Sequence, residues 1–201
     1  MPRKVVSRRD LARKAPLEFF KGFLRNPKEV GSIVPSSRFL TRRVLNIGEL
    51  YRCRVVVELG PGTGVLTGEI LRRMSSDARL VAVEINQDFV DVLREVYPDP
   101  RLTLHTGVAA DMERALADAG ESSADLVVSG IPFSTLERGE GRRTLEAARR
   151  VLAPGGRFVA YQFRSAVKRM GEPVFGRAEV HPHFLNLPPM RIYVWRQPEL
   201  A

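Results

Sequence analysis

Val55-Val56-Val57-Glu58-Leu59-Gly60-Pro61-Gly62-Thr63-Gly64 is the stretch that decides the fold. Three β-branched residues specify a buried strand. Glycines at 60, 62 and 64 then turn the chain into Val65-Leu66-Thr67-Gly68-Glu69-Ile70-Leu71, whose apolar spacing is helical. A glycine turn lets the backbone approach a ligand closely, and Glu58 sets a carboxylate beside it. A dinucleotide fingerprint has the form G-x-G-x-x-G, with a pyrophosphate on the helix N-terminus. Here Val65 stands where that pattern needs its third glycine. Glu58 would repel a pyrophosphate and suits a ligand with a positive amino group.

A second acid, Glu84, closes the next apolar run, Arg79-Leu80-Val81-Ala82-Val83-Glu84-Ile85. An acid about twenty residues beyond the glycine turn can accept both hydroxyls of a ribose; the bland alternative is a solvated carboxylate at a strand end. Strand and helix patterns alternate onward: strand 55–59, helix 64–74, strand 79–85, helix 87–96, strand 102–106, helix 110–119, strand 124–129, helix 141–152, strand 157–163. Runs at 175–184 and 190–196 form a closing hairpin that adds an antiparallel edge strand. The pattern predicts an α/β protein: a Rossmann-like, doubly wound, seven-stranded sheet, mostly parallel with an antiparallel C-terminal hairpin strand, plus N-terminal helices.

The 201 residues suffice for one such domain with a full core. No apolar run is long enough to span a bilayer, and no apolar segment of secretory type follows the charged start. Cys53 is the single cysteine, which excludes an intrachain disulfide and a cysteine metal site. The net charge is +9, and residues 1–28 carry +7 of it, from nine basic residues against Asp10 and Glu18. In that segment Leu17, Phe20, Phe23 and Leu24 recur at helical spacing, with Lys21 and Arg25 on another face. Residues 1–29 are therefore expected to be a basic amphipathic helical segment that binds an anionic membrane, ahead of a domain at 30–201. The alternative is a helix whose apolar stripe packs on the domain.

Glu58-Leu59-Gly60-Pro61-Gly62-Thr63-Gly64, Val81-Ala82-Val83-Glu84-Ile85 and Leu152-Ala153-Pro154-Gly155-Gly156-Arg157 together resemble three motifs of the class I S-adenosylmethionine-dependent methyltransferases. The resemblance covers roughly residues 30–197. It implies that S-adenosyl-L-methionine is bound and S-adenosyl-L-homocysteine released. Glu58, Gly60, Gly62, Thr63 and Gly64 would cradle the methionine part, and Glu84 with Ile85 the ribose. Pro35, Ser36 and Ser37 would fold over the carboxylate end, although either serine could simply cap the helix at 38–47. Val108 occupies the place where relatives often carry an adenine-binding acid, so Val108, Ala109 or Asp111 would serve there, with Ser129 at the end of the fourth strand.

Gly130-Ile131-Pro132-Phe133 is similar to the N-I-P-Y type of catalytic motif found in methyltransferases of amino nitrogens. Gly130 replaces the usual Asn or Asp, which disfavours planar base amines. Phe133 could hold an alkylammonium by cation–π contact, or merely turn the chain and fill the rim. Tyr161, Arg164, Lys168 and His183 are candidate headgroup contacts, and no metal is expected. With Phe23-Leu24-Arg25-Asn26-Pro27, Gly31–Ser37 and Asn186-Leu187-Pro188-Pro189, the chain looks like the bacterial phospholipid N-methyltransferases. That resemblance implies stepwise methylation of phosphatidylethanolamine toward phosphatidylcholine, by an enzyme peripheral on the inner face of the cell membrane, without a nucleic-acid partner. The alternatives are an rRNA adenine N6-dimethyltransferase and a non-catalytic membrane- or RNA-binding protein that keeps the fold.

Overall fold

The computed structural model describes residues 38–137, 139–184 and 189–199. The expected membrane segment at 1–29, and Pro35, Ser36 and Ser37, lie outside the described residues.

β1 (Val55–Leu59), β2 (Arg79–Glu84), β3 (Leu102–Thr106), β4 (Ala124–Ser129) and β5 (Leu152–Gln162) run parallel. Their central runs read as unbroken apolar stretches because the sheet is covered on both faces. Val57 lies between Val81 on one side and Val127 on the other. On one face pack α1 (Arg38–Ile47), α2 (Val65–Arg73) and α3 (Gln87–Val96), through residues such as Leu40, Leu45, Ile70 and Leu93. On the other pack α4 (Met112–Asp118), α5 (Glu140–Val151) and α6 (Ala166–Phe175), through Leu116, Leu145 and Val167.

The strand order is β3-β2-β1-β4-β5-β7-β6, with β6 at Glu179–His183 and β7 at Met190–Arg196. The order reverses direction at the β1–β4 junction, as doubly wound sheets require. The antiparallel strand differs in place from the sequence expectation. β7 is antiparallel to both β5 and β6, so it lies inside the sheet and β6 forms the edge. Trp195 and Tyr193 on β7 are accordingly buried.

The expected run at 175–184 also began too early, because α6 ends at Phe175. Gly171 and Pro173 hide this helix from a propensity reading. The glycine is needed for space: a Cβ on it would stand 2.6 Å from the Trp195 ring. No described helix is long and apolar enough to cross a membrane.

Candidate functional site

The C-terminal ends of the first four strands open on one cavity of about 600 Å3. Gly60 follows β1, Glu84 closes β2 with Ile85 beyond it, Gly107 to Asp111 follow β3, and Gly130 to Pro132 follow β4. This is the crevice at the reversal of strand order, where sheets of this kind take ligands. Glu140, Arg143 and Thr144 of α5 supply another wall.

The glycine turn is built for close approach. Gly60, Gly62 and Gly64 have φ of 68°, 52° and 73°, a region that side chains rarely adopt. A Cβ on Gly60 would also sit 2.8 Å from Ile131 Cγ1 and push the turn off the end of β4. One on Gly64 would meet Leu93 at 2.6 Å and Tyr97 at 2.8 Å, so this glycine seats α2 against α3. Around Gly62 a Cβ would meet nothing within 4 Å; the turn there faces open space.

Glu84 is set firmly. Its Oε2 accepts the Gly62 N–H at 3.1 Å and its Oε1 the Asn86 N–H at 3.0 Å. The second acid therefore ties the glycine turn to β2 while lining the cavity. Beside it, Ile85 is 70% and Val108 39% exposed, and both line the same space. Two uncovered apolar side chains next to an oriented carboxylate fit a nucleoside: hydroxyls on Glu84 and a flat base against Ile85 and Val108. The adenosine of S-adenosylmethionine meets these requirements. Ala109 and Asp111 line the same pocket.

Four expectations are corrected. Glu58 does not present a carboxylate to the ligand. It is 1% exposed, beneath the turn, and its Oε2 accepts the Thr67 hydroxyl at 2.7 Å. Burial pushes its pKa up to about 8, against the Thr67 hydrogen bond and with a smaller push from the Glu84 charge. It is a largely protonated prop for the turn rather than a fixed counter-charge. Ser129 is buried too, and its Oγ accepts the Ile131 N–H at 3.3 Å, shaping the Gly130–Phe133 turn from below. Phe133 is fully buried in the core layer, close to Gly141. Its ring fills the interior and cannot face an alkylammonium. Lys168 does not line this cavity or the smaller one beside it; it pairs with Glu172 one turn along α6, at 3.7 Å.

A second cavity, of about 310 Å3, brings together Tyr161, Gln162, Arg164 and Ser134. It shares Gly130 and Pro132 with the first, so these two residues form the wall between them. His183 lies buried at the end of β6, opposite Met190, which lines this second cavity. Thr63 is half-buried in the glycine turn and outside the lining of both.

Five contributors escaped sequence reasoning. Glu140, Arg143 and Thr144 recur at helical spacing on one face of α5, a pattern that could have marked them. Ser134, just past the motif, carried no signal. Gln162 donates its Nε2 to the Ile131 carbonyl at 2.6 Å, a pairing that depends on β4 and β5 lying side by side.

Comparison with known proteins gives the same picture. Residues 56–156 match the family described as Methyltransferase domain. The ornithine lipid N-methyltransferase of Singulisphaera acidiphila is 33% identical over 141 residues, covering 70% of this chain and 73% of that protein. The ribosomal RNA small subunit methyltransferase A of Thiobacillus denitrificans is 40% identical over 80 residues, but these cover 39% of this chain and 28% of that protein. Among solved structures, the N-methyltransferase NodS of Bradyrhizobium japonicum in complex with S-adenosyl-L-homocysteine superposes with a TM-score of 0.69 at 15% identity, covering 92% of this chain and 99% of NodS. That likeness shows a shared fold.

Proposed function

We propose, from the premise that this chain belongs to the methyltransferase-domain family and takes S-adenosylmethionine as its methyl donor, that it methylates the headgroup amine of phosphatidylethanolamine, stepwise toward phosphatidylcholine. The observation that carries this reading is the pair of cavities meeting at Gly130 and Pro132. One is shaped for a nucleoside. The other presents a hydroxyl, an amide and the Arg164 guanidinium to whatever lies across the wall.

The donor carries a methyl group on a sulfonium; as an amine lone pair bonds that carbon, the S–C electron pair stays on sulfur and a proton then leaves the ammonium product. The protein needs little acid–base apparatus for such a step. Positioning two reactants in line supplies much of the acceleration. Glu84 fixes the nucleoside end, and the rigid Gly130–Pro132 wall sets where the two ligands meet. A guanidinium such as Arg164 suits a headgroup phosphate.

The proposal extends to the membrane. Residues 1–29 are read as an anionic-lipid anchor and 30–201 as the methyltransferase domain, peripheral on the inner face of the cell membrane. The exposed Phe163 and Phe184 support this placement. Phe163 adjoins Arg164 and lines the second cavity, and Arg191 donates to the Phe163 carbonyl at 3.2 Å. Apolar rings beside guanidinium groups are what an anionic interface takes up.

A second acceptor, the amine of an ornithine lipid, is favoured by the named activity of the Singulisphaera relative. It too offers a primary amine near an anionic group. The rRNA reading has less support: Gly130 supplies no side-chain amide and Phe133 no accessible ring. Incubating the full chain with methyl-labelled donor and vesicles containing phosphatidylethanolamine, ornithine lipid or neither should label the extracted lipid in the first set. Label in ornithine lipid alone would move the assignment to that acceptor. Label in added rRNA and in neither lipid would sink the lipid reading.

A further inference from the structure

We infer that Tyr161 positions the acceptor nitrogen, with its hydroxyl standing where the side chain of residue 130 would otherwise project, and that the cavity behind it seats the acceptor's headgroup. This rests on the amine-methylating reading above.

Gly130 is not a glycine of conformational necessity. Its φ lies outside the left-handed region, so the backbone there admits any residue. What excludes a side chain is Tyr161: a Cβ on Gly130 would stand 2.6 Å from the Tyr161 Oη and 3.2 Å from its Cζ. Gly130 and Tyr161 are thus a matched pair, and the hydroxyl takes the volume that the small residue leaves. It does so at the wall shared by the two cavities.

Two backbone acceptors beside it are already engaged. The Ile131 carbonyl holds the Gln162 amide at 2.6 Å, and the Pro132 carbonyl holds both the N–H and the hydroxyl of Thr135 at 2.9 Å. A phenol both accepts and donates. Accepting an N–H from a neutral amine, Tyr161 would turn the nitrogen lone pair toward the first cavity. The hydroxyl is carried on a strand rather than a loop: Tyr161 is paired with Ile192 and Gln162 with Arg191, across β5 and β7. A site held by a sheet keeps its geometry. Arg164, three residues beyond Tyr161, lines the same cavity and suits the anionic group of the acceptor. The seat therefore fits a primary amine that carries a phosphate or carboxylate a few bonds away.

The test uses the full chain and phosphatidylethanolamine or ornithine-lipid vesicles. Tyr161→Phe should lower kcat by about ten- to hundredfold, with the KM for S-adenosylmethionine and the affinity for S-adenosylhomocysteine within about twofold of wild type. Moving the polar group across the wall, in the double variant Gly130→Asn with Tyr161→Ala, should recover activity relative to Tyr161→Ala alone. A second readout needs no turnover: titration of phosphoethanolamine onto protein saturated with S-adenosylhomocysteine should be weakened at least about tenfold by Tyr161→Phe. Wild-type kcat in Tyr161→Phe, or unchanged phosphoethanolamine affinity, overturns the inference, as does a wild-type chain that binds no phosphoethanolamine. A wild-type chain that methylates neither lipid, yet binds phosphoethanolamine through Tyr161, upholds the inference and overturns the lipid reading alone.

Discussion

Glu58 and Glu84 are the same side chain at the ends of neighbouring strands, and their surroundings give them opposite chemistry. Glu84 spends its oxygens on two backbone N–H groups at the cavity edge. Glu58 is enclosed, with Thr67 as its hydrogen-bond partner, and its pKa is pushed up to about 8, chiefly by burial. A folded pKa above the unfolded value means that folding takes up a proton. The stability this contributes is complete below the ordinary carboxylate range and is lost as pH rises through about 8. One proton corresponds to a slope of about 1.4 kcal/mol per pH unit inside that window. Glu58→Gln keeps an acceptor for Thr67 and cannot ionise. Thermal unfolding followed from about pH 6 to about pH 8.5 should show a steeper fall in Tm for the wild type, with the variant the more stable at the upper end. Parallel curves would mean that Glu58 is already ionised in the fold.

Among the elements, α6 tests how packing overrules local preference. Gly171 in its interior costs about 1 kcal/mol of helix propensity relative to alanine. Propensity alone therefore predicts that Gly171→Ala stabilises. The Trp195 ring lies where the new methyl would go, at 2.6 Å, and is tilted against the stacked rings of Phe158 and Phe175. A rigid ring cannot swing away, and overpacking costs about 1–3 kcal/mol. Packing should prevail: Gly171→Ala is expected to lose about 0.5–2 kcal/mol in urea unfolding, and a gain would show that α6 can slide off the sheet. The same conflict explains what was legible in the sequence. Elements whose local pattern agrees with their burial, such as β1 with its valines or α3 with its apolar face and Asn86 cap, were readable to within a residue or two. α6 was not, because Pro173 interrupts its helical pattern and Gly171 answers to Trp195 on β7. Nor could spacing place β7 inside the sheet. In the site, Glu84, Ile85, Val108 and the Gly130–Pro132 turn were legible because each follows directly from a strand end. The corrections at Glu58, Ser129 and Phe133 share one cause: motif positions fix which residue stands at the site but not which face of the strand or turn it points to.

Over the whole molecule, charge and apolar surface are divided in a way that, on the proposed reading, separates chemistry from docking. Residues 1–28 hold +7 of the +9 net charge, while Phe163, in the lining of the second cavity, and Phe184 leave their rings exposed. The two features make different contributions to lipid binding. A basic residue near an anionic surface adds about 1 kcal/mol, screened by salt. A buried aromatic ring adds a comparable amount through apolar area, which salt does not screen. Deleting residues 1–25 removes eight basic residues and two acids. It should abolish sedimentation with anionic vesicles at about 0.15 M salt while leaving S-adenosylhomocysteine affinity intact, since Glu84, Ile85 and Val108 belong to the domain that remains. Phe163→Ala with Phe184→Ala should instead weaken vesicle binding equally at low and high salt, and lower turnover on vesicles more than phosphoethanolamine binding. If the deletion leaves vesicle binding unchanged, the N-terminal segment is not the anchor and docking falls to the phenylalanine rim alone. If both changes leave it intact, the protein reaches its acceptor without resting on the bilayer, and a lipid amine is no longer a tenable substrate.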